Sequence, residues 1–219
     1  MSADLLRNFG PQPDPSRSRR NYAALAAGYD ASCHRIERLR AQAIATLALL
    51  PGEHVLDVAC GSGATLATLA CAVGPSGRVT GVEHSPEMAA LARDRARVAS
   101  ARAPTEVIEA AVESLPTGLQ VDAMLLSYTH DVLQSEAAVD RLLACARPGA
   151  RLSILGMKTL PWLWGWPVNA FNLYRARRYL TTYSNLDRPW QGLSQRGLDV
   201  RVVATGLMGS AYLATTTTR

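Results

Sequence analysis

The sequence has no apolar run that approaches the roughly 20 residues needed to cross a bilayer. Residues 1–20 contain three prolines and several arginines but no apolar segment of the kind that a secretory signal requires. We therefore expect a flexible N-terminal tail over residues 1–20, either mobile or strapped over the domain. One domain follows over residues 21–219, because no internal repeat or linker divides that part of the chain.

The four cysteines form no C-x-x-C pair and show no zinc-ligand spacing. We therefore expect reduced cysteines in a cytoplasmic protein, with no bound metal. Lysine is nearly absent, since Lys158 is the only one, and the net charge of +5 rests on arginines. These arginines alternate with acids in segments such as Arg93–Arg97, which is more typical of a solvated helix face than of a nucleic-acid-binding stripe. No nucleic-acid partner is expected, and the sequence leaves the oligomeric state open.

A short apolar segment followed by a Gly-x-Gly turn extends from Val55 to Gly63. The residues after it, 64–72, are good helix formers, so the pattern predicts a buried strand, a tight loop and a helix start. Gly61 and Gly63 allow backbone to approach a ligand closely, and the new helix offers free N–H groups at its N-terminus. The unit therefore predicts a cofactor-binding loop near the front of an α/β domain.

Apolar segments alternate with helical ones along the rest of the chain. We predict two helices between Asn21 and Leu50, helices over 85–100 and 135–147, and strands at 55–59, 78–83, 105–112, 121–127, 151–155, 199–205 and 211–216. Alternation of this kind predicts a doubly wound, mostly parallel sheet, and the last two strands predict an antiparallel hairpin at its edge. The expected fold class is α/β with a seven-stranded sheet.

Residues at the carboxyl ends of the strands are candidates for the ligand site, because open α/β sheets bind ligands there. Glu83 ends the second strand and could accept both hydroxyls of a ribose. Met88 could pack on an adenine face or belong to the core. A dinucleotide fingerprint requires a small residue where Leu66 stands, and an acid inside the first strand, such as Asp57, is unusual for that class.

Together these motifs resemble the class I S-adenosylmethionine-dependent methyltransferases. Val55–Gly63 resembles the first motif of that family, Val79–Met88 the second, and Arg147–Leu152 the turn into the fifth strand. The resemblance implies a Rossmann-like methyltransferase fold over residues 21–219, with S-adenosylmethionine as cofactor. It implies a set of cofactor-binding residues: Tyr22, Tyr29, Asp57, Ala59, Gly61, Gly63, Glu83, His84, Met88, Val112, Glu113 and Ser127.

Two of these residues carry open questions. Asp57 could either hold the glycine loop or meet the amino group of the ligand. The family often places Asp where Ala111 stands, so Glu113 or a backbone carbonyl would have to meet the adenine amino group instead.

The end of the fourth strand, Ser127–Asp131, should face the reacting methyl group. A general base is needed only if the acceptor carries a proton to lose, and His130, oriented by Asp131, is the candidate. The alternative is that His130 caps the following helix or meets backbone. Tyr128 could line the acceptor pocket. The sequence lacks the motifs of the exocyclic-amino and cytosine-C5 DNA methyltransferases and a magnesium-binding acidic cluster, so we predict a small-molecule or lipid-like acceptor.

All four tryptophans lie between Pro161 and Arg196, together with tyrosines and arginines. We predict that residues 161–196 form an aromatic cap in which Trp162, Trp166 and Tyr174 bind substrate. The alternatives are a helix pair with its tryptophans in the core, and contact with a membrane surface, which Trp and Arg suit. The predicted function is methyl transfer. A nicotinamide-dependent oxidoreductase and a non-catalytic cofactor-binding protein are the alternatives.

Overall fold

Within residues 10–28 and 36–219, which the structure describes, seven strands pair into one mixed sheet; Tyr29 lies outside the described residues. The structure is a computed structural model. The strands are β1 (His54–Val58), β2 (Arg78–Glu83), β3 (Thr105–Glu109), β4 (Val121–Ser127), β5 (Ala146–Met157), β6 (Arg201–Gly206) and β7 (Ala211–Thr217). The helices are α1 (Pro15–Leu25), α2 (Glu37–Thr46), α3 (Leu66–Val73), α4 (Pro86–Ala99), α5 (His130–Gln134), α6 (Glu136–Cys145), α7 (Trp162–Ala176) and α8 (Gln191–Gln195). Short 3-10 turns are formed by Ala26–Gly28, Val112–Ser114 and Leu207–Gly209.

The strand order is β3-β2-β1-β4-β5-β7-β6. The first five strands are parallel, whereas β7 pairs antiparallel with both β5 and β6. This confirms the predicted α/β class and the C-terminal antiparallel hairpin. The order reverses between β1 and β4, which is the point where open α/β sheets bind ligands.

Helices cover both faces of the sheet, which explains why its central strands are continuously apolar. Along β4, Met124 and Leu126 enter the core on the side of α5, α6 and α8, and Leu125 enters the core on the side of α2, α3 and α4. All three side chains are fully buried. Successive strand residues point to opposite faces, so this alternation builds two cores on one strand.

Several predicted boundaries differ from the structure, and those of β3 and β5 differ most. β3 ends at Glu109, before the predicted end at Val112, because the chain turns into a 3-10 helix there. β5 starts earlier and ends later than predicted. The short helix α5 was not predicted, since its five residues are too few to show a helical period.

The N-terminal segment is partly ordered against the domain. Asp14 caps α1, which begins at Pro15, so the prediction of a flexible tail up to Arg20 is wrong for the helical residues 15–20. Residues ahead of α1 act as the strap that was the other expectation. Gly10 forms a parallel bridge with Thr182, and the Asp14 N–H donates to Thr181 Oγ1 at 2.9 Å.

No helix among the described residues has the length and apolar character that spanning a membrane requires. The same residues contain no group of His, Cys, Asp and Glu side chains that could hold a metal ion.

Candidate active site

The carboxyl ends of β1, β2 and β4 meet at one edge of the sheet. Val58 of β1 lies opposite Val82 on one side and Leu126 on the other. The loop after β1 therefore lies between the loops that follow β2 and β4. Positive φ angles at Ala59 (49°) and Gly61 (59°) turn the chain sharply as it leaves the strand.

Asp57 connects β1 to the helix that follows the loop. The side chain is 2% exposed and accepts a hydrogen bond from the hydroxyl of Thr65, the residue before α3. Burial raises the pKa of Asp57 to about 7, and the bond from Thr65 opposes that rise. This contact supports loop-holding, the first of the two roles that the sequence left open for Asp57.

Leu66 packs into space that two glycines leave empty. A Cβ on Gly63 would lie 2.8 Å from Leu66 Cδ1, and a Cβ on Gly81 would lie 3.4 Å from Leu66 Cδ2. The same Cβ on Gly63 would lie 2.9 Å from the Cα of Ala92 in α4. The missing side chain of Gly63 is therefore explained by packing inside the protein. The sequence had explained it by close approach to a ligand.

Glu83 joins the loops after β1 and β2. Its side chain is 4% exposed; Oε2 accepts the N–H of Gly61 at 3.0 Å and Oε1 accepts the N–H of Ser85 at 2.8 Å. Ser85 in turn caps α4. Because each carboxylate oxygen has a second lone pair, Glu83 can hold both loops and still accept hydroxyl groups of a ligand.

Several buried polar atoms at this edge have no hydrogen-bond partner among the described residues. They are His84 Nε2, Ser127 Oγ, Thr129 Oγ1 and both ring nitrogens of His130. Buried polar groups are nearly always paired in folded proteins, so each exception requires an explanation. A polar ligand bound across the ends of β2 and β4 would supply the partners.

His130 is the most buried of these groups that could act as a base. It is the first residue of α5 and is 5% exposed. Burial lowers the pKa of His130 to about 4, so the ring is neutral near pH 7. The backbone of Ser184 acts on the ring in the opposite direction and raises the pKa, so the backbone contact that the sequence left open stays an alternative role for His130.

Asp131 does not orient His130 as predicted. Its carboxylate accepts the backbone N–H of Thr181 at 3.0 Å and the Thr181 hydroxyl at 2.6 Å. Asp131 instead anchors the segment after α7 to α5. Thr181 also accepts the N–H of Asp14, so the N-terminal strap, the segment after α7 and α5 are connected through one hydroxyl.

A largely apolar cavity of about 420 Å³ opens beside His130. Burial raises the pKa of Tyr212, which lies in its wall, so that phenol stays protonated. Tyr128, which lies at the end of β4 with a φ of 60°, also lines the cavity. The other lining residues are Tyr22, Ile36, Thr129, Gly156, Met157, Val168, Phe171, Asn172, Arg175, Ala176, Tyr179, Leu180, Leu207, Met208, Ser210 and Ala211.

The three predicted substrate-binding residues do not line this cavity. Trp162, Trp166 and Tyr174 are 57%, 60% and 58% exposed, and their role in substrate binding stays a prediction. The orientation of α7 is set by a different residue, Asn169. Its side chain is buried and exchanges two hydrogen bonds with the backbone of Leu160.

A different set of α7 residues lines the cavity: Val168, Phe171, Asn172, Arg175 and Ala176. Their spacing of three or four residues is the sequence signal that could have identified this side of the helix.

The remaining predicted cofactor residues are divided between the site and the interior. The ring of Tyr22 is 6.5 Å from that of His84 and 6.3 Å from that of Tyr179, so it lies between the β2 loop and the cavity. Met88 is fully buried and Val112 is 6% exposed. Glu113 is exposed and accepts the hydroxyl of Ser135, the cap of α6, at 2.6 Å.

The stretch of sequence that contains these strand-end loops matches a known family model. Residues 55–149 match a family model described as a methyltransferase domain. This match covers less than half of the chain. A 2-phytyl-1,4-naphtoquinone methyltransferase of Synechococcus elongatus is 34% identical over 109 residues, which are 49% of this chain and 47% of that protein. An uncharacterized 37.1 kDa protein in a transposon of Streptomyces fradiae is 42% identical over 106 residues, which are 47% of this chain and 29% of that protein.

Solved structures of methyltransferases share the fold of this chain. A SAM-dependent methyltransferase from Aquifex aeolicus superposes with a TM-score of 0.63 at 23% identity, covering 82% of this chain and 89% of that chain. The N-methyltransferase NodS from Bradyrhizobium japonicum, in complex with S-adenosyl-L-homocysteine, gives 0.66 at 15% identity, covering 92% and 98%. These structures confirm the predicted Rossmann-like fold. The resemblance to class I methyltransferases is supported by the family-model match.

The aligned region spans less than half the length of both relatives, 29% and 47%. The relatives therefore establish a shared domain, and they leave the acceptor of this chain open.

Proposed function

We propose that the chain transfers a methyl group from S-adenosylmethionine to a small, largely apolar acceptor held in the cavity beside His130. The observation that carries this proposal is the position of His130: a buried, neutral imidazole in the wall of the cavity. A cytoplasmic location accompanies the proposal, as the sequence predicted.

The residues at the strand ends fit the proposed cofactor. Glu83 Oε1 accepts the Ser85 N–H and lies 3.4 Å from His84 Nδ1, so Oε2, which accepts the Gly61 N–H, is the oxygen better placed for a ribose hydroxyl. The unpartnered His84 Nε2 and Ser127 Oγ can bond other polar groups of the molecule. Tyr22 lies between this edge and the cavity, where it can cover the junction of the two sites. Among these, Glu83 is the residue whose carboxylate matches a ribose diol.

When bound, S-adenosylmethionine supplies an electrophilic methyl group on a sulfonium centre. The chain's contribution is then to position the acceptor in line with that methyl group and to exclude water, and such orientation can provide much of the acceleration. His130 accepts a hydrogen bond from an acceptor hydroxyl and takes its proton as that oxygen becomes nucleophilic. The apolar wall of the cavity strengthens this interaction, because the local dielectric is low.

The walls of the cavity favour a flat, apolar acceptor with a polar group at one end. Met157, Val168 and Phe171 provide apolar and aromatic surface, whereas Asn172 provides an amide beside them. The naphthoquinone methyltransferase that matches residues of this chain has a substrate of that character by its name. We therefore propose a quinol-like or lipid-like acceptor, with the segment from Pro161 to Arg196 as the cap that encloses it.

The proposal is tested in two steps, the first for the methyl donor and the second for the acceptor. Calorimetric titration should show binding of S-adenosylhomocysteine and none of NAD; the reverse pattern would support a nicotinamide enzyme. Labelled S-adenosylmethionine is then incubated with 1,4-naphthoquinol or with host extract, and the products are partitioned between organic and aqueous phases. Label confined to the aqueous phase would contradict an apolar acceptor. Failure to label any extract component would favour a non-catalytic binding protein.

We predict that Glu83→Gln weakens binding of S-adenosylhomocysteine by roughly 10- to 100-fold, because charge-assisted hydrogen bonds to both ribose hydroxyls are lost. Calorimetry measures the change. Asp94→Asn is the matched control, since Asp94 is an exposed carboxylate on α4 that pairs with Arg97. Equal affinities for the wild type and Glu83→Gln would remove Glu83 from the cofactor site.

A further inference from the structure

The outer surface of α7 is strongly apolar and open to solvent. Six of its side chains, which we call the aromatic surface, are more than half exposed: Trp162, Leu163, Trp164, Trp166, Phe171 and Tyr174. Leu163 reaches 94% exposure. An exposed apolar patch of this size on a single helix marks an interaction site.

The segment that carries the aromatic surface is rich in cations, and the first acid after it is Asp187. From Lys158 to Leu186 the sequence contains four cations and no acid. Two of the cations stack on the surface itself: Arg177 Cζ lies 4.0 Å from the ring centroid of Tyr174, and Arg175 Cζ lies 5.7 Å from that of Phe171. Tryptophan, tyrosine and arginine together are typical of the interface between lipid headgroups and acyl chains.

The aromatic surface is continuous with the mouth of the cavity. Phe171 belongs to both, and Leu207 and Met208 line the cavity while being 60% and 81% exposed. Leu207 and Met208 come from the turn between β6 and β7, so two separate segments of the chain place exposed apolar side chains around the same opening.

We propose that the aromatic surface docks the protein on a membrane that contains anionic lipids, with the mouth of the cavity against the bilayer. A second copy of the chain fits this surface less well. In an isologous pair the cations would face one another, and residues 158–186 offer no acid to pair with them. Docking does not depend on the proposed methyl transfer, although it would give the cavity direct access to an acceptor dissolved in lipid.

The tryptophans of the protein report docking directly. Three of the four lie in the aromatic surface, and the fourth, Trp190, is partly buried with its ring centroid 4.8 Å from that of Tyr212. Vesicles of phosphatidylcholine with phosphatidylglycerol should shift tryptophan emission to shorter wavelength and sediment with the protein. The triple variant Trp162→Phe, Trp164→Phe, Trp166→Phe keeps only Trp190 and should lose the shift.

Two further variants separate the apolar and the charged contributions. Leu163→Ser with Trp164→Ser should weaken vesicle binding at least about ten-fold, because two large side chains no longer enter the interface. Arg177→Gln with Arg178→Gln should weaken it by about five-fold for each arginine, and added salt should weaken wild-type binding in the same way. Val98→Ser, an equally exposed apolar position on α4 (74%), is the control and should bind vesicles like the wild type.

Three results would overturn the proposal. The first is wild-type protein that stays in the supernatant with anionic vesicles at low salt. The second is equal loss of binding in Val98→Ser. The third is a dimer that dissociates on Leu163→Ser with Trp164→Ser while vesicles bind neither form, which would assign the surface to a second copy. Binding of S-adenosylhomocysteine, measured without lipid, should be unchanged in all these variants, so a failure here leaves the proposed function standing.

Discussion

His130→Ala is expected to lower kcat by roughly 10²- to 10⁴-fold toward an acceptor that must lose a proton, which is the usual contribution of a positioned general base. His130 is suited to this role because it is neutral, 5% exposed and in the wall of the cavity. Single-turnover transfer of labelled methyl measures the change. Affinity for S-adenosylhomocysteine should stay within a few-fold of the wild type, which separates loss of the base from loss of the cofactor site.

His54→Ala is the matched control for that experiment. His54 is partly buried at the amino end of β1, whereas the cavity lies at the carboxyl ends of the strands. Its Nε2 lies 2.9 Å from the hydroxyl of Thr80. It should retain wild-type kcat. If His130→Ala keeps full activity toward every protonated acceptor that the wild type methylates, then orientation alone performs the reaction.

The pH dependence of stability offers a second measurement on the same residue. Burial lowers the pKa of His130 from 6.5 to about 4, so between these values the unfolded chain binds a proton that the folded chain does not. The contribution of His130 to stability is therefore complete above pH 6.5 and is lost as the pH falls toward 4. Asp57 acts in the opposite direction, since its pKa is raised from 3.8 to about 7 and its contribution is lost as the pH rises through 7.

The His130 contribution is isolated by comparing urea unfolding of the wild type and His130→Gln at pH 6.5 and pH 5. The wild type should lose roughly 2 kcal/mol more than the variant over that interval, which is the linkage expected for one proton. Identical slopes in the two proteins would mean that His130 titrates normally.

Gly63→Ala is expected to destabilise the fold by about 2–4 kcal/mol, combining left-handed backbone strain with overpacking. Gly63 has a φ of +80°, and a Cβ there would lie 2.8 Å from Leu66 Cδ1 and 2.9 Å from Ala92 Cα. The second contact is with helix backbone, so it cannot be relieved by a rotamer change. Chemical denaturation followed by circular dichroism measures the loss, and cofactor affinity should fall with it because the loop must shift.

Substitutions at two other glycines separate backbone strain from overpacking. Gly74 has a φ of +65° but nothing within 4 Å of its Cβ position, so Gly74→Ala reports strain alone. Gly118 also has open space around its Cβ position and no positive φ, so Gly118→Ala should be nearly neutral. If Gly63→Ala were as stable as Gly74→Ala, α4 would have shifted away from the added Cβ without a loss of stability.

Much of the fold follows from local sequence. The apolar period and the turn residues specify β2 and β4 with their predicted bounds and place Ser85 at the start of α4, because strand pattern and helix capping depend on neighbours in the chain. The same reasoning brings Glu83 to the edge of the sheet. It missed α5, which is short, and so it missed the element that carries His130.

The geometry of the candidate site depends on contacts between segments that are distant in the sequence. Leu66 looked too large for a close helix–strand approach, and the space it fills comes from Gly63 in the loop together with Gly81 on the next strand. Asp131 follows the candidate base in sequence, yet its partner is Thr181, 50 residues away. No local pattern reports such a pairing, because it is decided by how the segment after α7 folds back on α5.

What the sequence alone determined is the class of the protein: an α/β domain with a glycine loop, an acid after β2 and a methyltransferase pattern, all of which rest on residues close together in the chain. Only the tertiary structure decided which side of α7 faces the cavity. A helix can present any side inward, and here Gly165 and Asn169 fix the rotation by packing on Leu160. That contact directs Asn172 to the cavity and leaves the tryptophans outside, because the position of one residue on a helix sets the direction of all the others.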